Sequence, residues 1–449
     1  MSETTNPALT LKTLQDAVAG RAAAFRCRSR LQPAGGPGGK VFPPTYAGAV
    51  YATAKRRLPG REEPVNCVLL DSVQSQANRL EEALQQAVDA GRLKLPVIEV
   101  DFEPFFPGDD QPEEMRLLDP VGRVTSLQAP HRIADAILRD SILDGRPFRE
   151  SEVGRRLSMV SARNATVLFE LCPTALLLGM WDSTGPKGGL GAKFERAMVS
   201  EIVGINAVYG VRTAIRVDPV VRKNPPLYET QSGTWTALEK EAVKTGAKNE
   251  PKKHGKKASE LNLGNVTPDF ARYSSKNITS DNRETIDIMR DDAEYIQGGR
   301  VCPGGVTIDH AEQTIVLSLP ALRRLRFPSN GGASAEMDNA ARTVLAALGL
   351  CAAALADKAG LDLRSRCLLY PEQDLVWTLL DRKADQDFSL SAENSVTLFN
   401  EAVAAAKGAG LPWREEPLVL QPSDELVKLV VKSQRLAIQQ GGDSGEGGD

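Results

Sequence analysis

The chain should fold as an α+β protein, because segments of two-residue and of 3.6-residue hydrophobic period alternate along it. Residues 22–31 (AAAFRCRSRL) alternate, with Arg26, Arg28 and Arg30 on one side and Phe25, Cys27 and Ser29 on the other, as in a strand with one basic face. Leu80, Leu84, Ala87 and Val88 recur at helical spacing up to Gly91, and residues 333–359 form a long Ala/Leu-rich helical run. Strand, helix, strand, strand, helix, strand, with long insertions between, is the order of a ferredoxin-like (RRM-type) sheet.

The remaining segments follow in chain order. Residues 11–18 read as a short helix ended by Gly20, and 32–46 (QPAGGPGGKVFPPTY) as a loop whose glycines let backbone approach a ligand. The apolar run 65–70 leads into Asp71 or Ser72 as the N-cap of the helix through Leu84. Residues 93–102 read as a strand, followed by an acidic, Pro-rich loop, and 131–142 as a helix. Within 165–182 stand two apolar bursts, VLFEL and ALLLGMW, the second expected as a buried strand. A tight loop at 185–191 opens into an expected helix at 194–203, and 208–221 returns as a strand. Residues 223–300 are polar and Lys-rich, an insertion expected as a β-hairpin arm or as chain ordered only by a partner. Strands are expected at 306–319 and 375–380, helices at 395–406 and 426–438, and a disordered tail after 440.

Composition narrows the function classes. Hydrophobic content is 41% and charged content 25%, enough to build a sizeable core. Aromatic residues make up 5%, which limits how many bases could be held by stacking. The six cysteines form no CxxC pair, so neither a zinc ribbon nor a redox dithiol is signalled, and no metal or other cofactor is expected. The N-terminus lacks the basic region and apolar run of a secretory signal. No stretch reaches the roughly 18 consecutive apolar residues of a membrane span, the nearest being 344–356 with Gly349 inside it. The expectation is a cytoplasmic protein without a membrane partner.

Net charge is only −3, but its distribution is uneven. From Arg21 to Arg61 stand nine Lys/Arg and no Asp or Glu; from Lys240 to Lys257 stand seven lysines against Glu241 and Glu250. Asp101 to Glu114 carries six acids and the final nine residues carry three. Segregated charge with a near-neutral total suits a protein that binds a polyanion on one face.

Two motifs fit that reading. Ser72-Val-Gln74-Ser75-Gln-Ala-Asn78-Arg79 opens a helix with hydroxyls, amides and a cation beside the positive end of the helix dipole, and Ser72, Ser75 and Arg79 share a face. These residue types bind phosphate and ribose without reading bases; an ordinary polar first turn is the alternative. GPKGGLGAKF fails both the Walker spacing, since Leu190 stands where Gly is needed, and the dinucleotide fingerprint, where Phe194 does. What remains is a turn in which Gly188, Gly189, Lys187, Lys193 and Arg196 could hold one phosphate, or simply a structural turn. Lys40 in the Gly/Pro loop joins Arg26, Arg28 and Arg30 as a candidate contact. His131, His254 and His310 fall in unrelated contexts and build no acid–base or nucleophilic constellation. No catalytic residue is expected.

Three blocks carry a family resemblance: LQPAGGPGGKVFPPTY, CVLLDSVQSQANRLEEAL and LLLGMWDSTGPKGGLGAKFERAMVSEI, spanning roughly residues 31–204. In order and separation they resemble the CRISPR-associated RAMP-superfamily backbone protein of the type I-G (earlier I-U) Cascade complex, the Csb-one or Cas-seven-type subunit. The resemblance implies an RRM-like palm with a helical finger insertion and a β-hairpin thumb. It implies a first palm part at 1–99, a finger at 100–170, palm strands and the Gly-rich loop at 171–221, a Lys-rich thumb at 222–300, the rest of the palm and C-terminal helices at 301–440, and an acidic tail at 441–449. Copies of such a subunit polymerise along CRISPR RNA, with the large subunit and the fused end-capping and processing subunit, and display the guide to target DNA. RAMP relatives that cut RNA use an Asp in the loop after the first strand, which is missing here, so no nuclease activity is carried over. The rival readings are a guide-maturing endoribonuclease and a protein-only assembly scaffold.

Overall fold

The computed structural model describes residues 6–47, 50–183, 192–211, 213–216, 225–246, 249–256, 266–270, 303–329 and 332–443. The chain divides into two compact units. The first comprises Met1–Pro44, Thr53–Ala207 and Thr307–Gln434; the second comprises Thr45–Ala52, Val208–Val306 and Arg435–Asp449.

The first unit is an α+β body. Its central strand β1 (Ala24–Pro33) has the expected alternation, with Phe25, Cys27, Ser29 and Leu31 buried, Arg26 half-buried, and Arg28 and Arg30 exposed. Strands β2 (Thr53–Arg56) and β3 (Val65–Asp71) lead into helix α2 (Val73–Asp89); helix α1 (Leu11–Ala19) precedes β1. Strands β10 (Met198–Ile205) and β11 (His310–Ser318) pair with each other, and helix α5 (Ala335–Ala359) follows. Beyond it come β12 (Leu361–Asp362), β13 (Leu368–Pro371), β14 (Val376–Leu380) and β15 (Gln386–Ser389). Among the described residues nine strands form one sheet, in the order β12–β13–β1–β11–β10–β3–β2, with β14 also on β1 and β15 on β14. The subset β1, α2, β10, β11, α5, β14 has the spatial strand order β14–β1–β11–β10, all antiparallel. This is the ferredoxin-like arrangement expected from the element order.

The helices cover one face of the sheet. Phe25, Cys27, Ile315, Leu317 and Trp377 from the strands join Leu80, Leu84, Leu345 and Leu348 from α2 and α5 in one core. Helix α5 is long and apolar enough to cross a membrane, with mean hydropathy 1.5 over 18 residues, yet 83% of that window is buried. Its length therefore serves the core, packing on α2 and on α6 (Ala392–Gly408). Burial pushes the Cys27 thiol up to about 12 and that of Cys351 up to about 11.

Two expected elements change type. Residues 166–178 form helices α3 (Thr166–Leu171) and α4 (Pro173–Leu178), so ALLLGMW is mostly helix instead of strand. Pro173 stands in the first turn of α4, where its missing N–H costs nothing, and Gly179 ends it at φ 88°. Residues 194–203, expected as helix, lie in β9 (Lys193–Phe194) and β10, and 131–142 hold short helical turns followed by β6 (Ser141–Leu143). Between α2 and α3, strands β4 (Ile98–Asp101), β5 (Arg123–Thr125), β6 and β7 (Arg146–Pro147) form a second sheet. Its middle strand, β16 (Leu418–Pro422), comes from the far end of the chain, and the order is β5–β4–β16–β6–β7. Helix α7 (Asp424–Asp443) follows, extending past the expected end at 438. Residues 444–449 of the expected tail lie outside the described residues.

In the second unit, short antiparallel pairs join Tyr228–Glu229 to Trp235–Thr236, Lys244–Thr245 to Glu250–Pro251 and Thr213–Arg216 to Val266–Phe270. Much of the Lys-rich insertion, 257–265 and 271–302, lies outside the described residues.

Candidate nucleic-acid interface

The first turn of α2 is built around Asp71. Ser72 is the N-cap, its hydroxyl accepting the Ser75 N–H at 3.2 Å. Asp71, the last residue of β3, is fully buried and accepts from Ser75 Oγ at 2.8 Å, Gln76 Nε2 at 2.7 Å, Arg79 Nε at 2.9 Å and Arg364 Nη2 at 3.0 Å. Gln76 Oε1 in turn accepts from Ser200 Oγ at 2.7 Å and Gln313 Nε2 at 2.9 Å, tying α2 to β10 and β11. Arg79 also donates to the carbonyl of Leu363 at 2.6 Å. Ser75 and Arg79, both expected at a phosphate, are therefore committed to internal bonds. Gln74 and Asn78, one turn apart, are exposed.

On one side of this turn lies a broad cleft. Val73, His131, Gly179, Trp181, Lys193 and Arg196 are among its walls. Strand β8 (Met180–Trp181) pairs with β9, placing Trp181 opposite Lys193 at the base of the Gly-rich loop. Lys193 Nζ stands 6.0 Å from the centre of the Trp181 ring, which is 58% exposed. Lys193 and Arg196 have no carboxylate partner among the described residues, whereas the neighbouring acids are occupied: Asp182 with Arg149 at 2.9 Å, Glu195 with Arg324 at 3.1 Å. The structure thus brings the helix turn and the flank of the Gly-rich loop, over a hundred positions apart, onto one cleft. Lys187, Gly188 and Gly189 lie outside the described residues.

On the other side, the Gly/Pro loop carrying exposed Lys40 packs on the loop between β12 and β13. The Phe42 N–H donates to the Arg366 carbonyl at 3.1 Å. Gly36 and Gly38 take φ values of 87° and 76°, which the loop's tight turns require. Arg364 and Arg366 were not singled out by the sequence; their only signal is the spaced pair in LRSRC, beyond the recognised blocks.

The basic face of β1 is less cationic than its sequence. Arg28 pairs with Glu312 of β11, and Arg30 with Glu372 at 3.1 Å. Further along the acid-free span, Arg56 meets Glu201 at 3.2 Å and Arg61 meets Asp309 at 2.7 Å. Arg26, Lys40, Lys55 and Arg57 keep no acidic partner among the described residues. His131 stands at the cleft wall and His310 on β11, where burial and then Arg30 push its pKa down. Among the described residues no group of three or more His, Cys, Asp or Glu could hold a metal ion.

An α+β sheet with a cleft flanked by unpaired cations defines the class of protein in structural terms. Residues 25–209 match the sequence model of the family described as CRISPR-associated protein GSU0053 (Cas_GSU0053), so this segment is similar to that family. The match runs from β1 through α2 and the cleft to the end of β10, and all three recognised sequence blocks fall within it. No curated protein matches the chain.

Proposed function

We propose that this protein binds CRISPR RNA along its sugar–phosphate backbone as a repeated subunit of a type I-G Cascade-like complex, polymerising along the guide and presenting it for pairing with target DNA. It performs no catalytic step. The observation that carries the reading is the convergence on one cleft of the α2 first turn with Lys193 and Arg196, which have no carboxylate partner among the described residues, within the segment that matches the CRISPR-associated family. Amide side chains such as Gln74 and Asn78 suit phosphate and ribose, and phosphate contacts are blind to base identity, which a carrier of any spacer requires. One exposed tryptophan beside the cleft adds a surface on which any base can stack. Other copies of the chain and the remaining complex subunits are the expected partners.

The test is to purify the protein with its operon partners and examine what it carries. Bound RNA of uniform length is expected, along with salt-sensitive affinity of the protein for single-stranded RNA of unrelated sequences. Cleavage of repeat RNA by the isolated protein, abolished by replacing His131 or His310, would instead make it a maturing nuclease. Full RNA retention after combined Lys193→Ala and Arg196→Ala replacement would remove the cleft from the RNA path.

A further inference from the structure

Arg366 stands in the β12–β13 loop with its backbone at φ 63°, in the left-handed region that L side chains seldom adopt. A second arginine in that region, Arg132 at φ 53°, earns its conformation through a buried pair with Glu81. Arg366 makes no such pair: it is exposed and has no acidic partner among the described residues. Its guanidinium instead lies 4.0 Å above the ring of Phe42. Stacking on an aromatic ring holds a planar guanidinium in a fixed direction and leaves its N–H edge and its charge available.

The surroundings fix this cation further. Two residues before it, Arg364 is anchored to Asp71, and its buried Nη1 has no hydrogen-bond partner among the described residues. Two residues before Phe42 stands the exposed, unpaired Lys40. The loop is therefore fastened on one side to the first turn of α2 and on the other to the Gly/Pro loop, with Arg366 held between them. The left-handed backbone belongs to a tight turn in which the Cys367 N–H donates to the Arg364 carbonyl at 2.8 Å, and the Arg366 carbonyl accepts the Phe42 N–H. What the internal bonds leave over is the stacked, exposed guanidinium, which is set for an external partner.

We propose that Arg366 is a phosphate-binding residue, stacked on Phe42 to receive a phosphodiester of a single-stranded guide RNA. The inference rests on the RNA-binding reading above and adds a contact outside the matched segment. RNA and DNA share this chemistry, so the experiment uses both: the full-length protein is titrated with single-stranded RNA and DNA of the same sequence over a range of salt.

Arg366→Asn, which tolerates the left-handed backbone, should keep the thermal unfolding midpoint close to that of the unaltered protein. It should lower the slope of log affinity against log salt by about 0.7, one phosphate contact. Arg366→Lys keeps the charge and loses the stack, so it should retain the slope and bind several-fold more weakly; it stays informative even if the Asn variant fails to fold. Weakening on RNA, alone or shared with DNA, supports the proposal. Weakening on DNA alone assigns the residue to another strand and overturns it, as does unchanged affinity and slope in both variants while the unaltered protein binds RNA. If the unaltered protein shows no salt-sensitive binding at all, the RNA-binding reading falls as well.

Discussion

Asp71 concentrates more of the local energetics than any cation around it. It is fully buried and answers four donors, two of them guanidinium groups. Removing one partner of a buried ionic network leaves uncompensated charge, which costs about 3–5 kcal/mol. Asp71→Ala should therefore lower the unfolding free energy by that much, read from urea denaturation, and a loss under about 1 kcal/mol would show the network to be dispensable. Arg79→Ala strikes the same network, so a fall in RNA binding in that variant reports lost structure along with any lost contact; Gln74 and Asn78 are the cleaner probes. His310 carries a second, pH-dependent consequence. Burial first, and then Arg30, hold its pKa below the ordinary value, and its buried Nδ1 has no partner among the described residues. The unfolded chain then binds the proton more readily than the folded one, so stability falls as pH drops through about 6.5, the unperturbed value. His310→Asn should flatten the pH dependence of the unfolding midpoint between neutral and mildly acidic conditions; an identical profile in the variant would assign it to other groups.

Between elements, the buried pair of Glu81 and Arg132 holds the middle of α2 to the turn before β6. Arg132 donates to both Glu81 oxygens, at 2.7 and 2.8 Å, and to the Gly179 carbonyl at 3.0 Å. Burial pushes the Glu81 carboxyl up, and Arg132 works against that rise. Arg132→Met alone should cost about 3–5 kcal/mol, whereas pairing it with Glu81→Leu should recover most of the loss, since an apolar replacement of both partners removes the buried charges together. A double variant as unstable as the single one would refute this. Elements with a strong period were legible in the sequence: β1, α2, α5, β14, α6 and α7 all fall where their spacing places them. Short Leu-rich runs were not, because six buried residues satisfy helix and strand equally; only Pro173 and Gly179 mark α4 as a helix. β10 was misread for the reverse reason, its Met198, Ser200 and Ile202 being buried in alternation while the Gly-rich loop before it suggests a helix start. The Asp71 network and the second sheet were invisible because they join positions hundreds of residues apart, such as Gln76 with Gln313 and β4 with β16. The same distance hid Arg364 and Arg366.

For the chain taken together, charge read along the sequence and charge read in space differ, and the difference decides how the protein meets a polyanion. Four of the nine cations in the acid-free span, Arg28, Arg30, Arg56 and Arg61, are met by Glu312, Glu372, Glu201 and Asp309. Exposed pairs of this kind add little stability, on the order of 0–1 kcal/mol, but they cancel much of each cation's field at a passing phosphate. Among the cations without an acidic partner in the described residues, this reading assigns five to RNA: Arg26, Lys40, Lys193, Arg196 and Arg366. Five contacts on single-stranded RNA would give a salt slope near 3.5, at roughly 0.7 per phosphate. Lys40→Ala should lower that slope by one such increment, while Arg28→Gln should change it far less. The converse is the sharper measurement: Glu312→Gln and Glu372→Gln together release Arg28 and Arg30 without adding a cation. Affinity for unrelated RNA sequences should then rise and the slope steepen by up to about 1.4, two contacts' worth. If releasing the pair leaves both affinity and slope where they were, the basic face of β1 does not lie on the RNA path, and its arginines serve only to lock β1 to its neighbours.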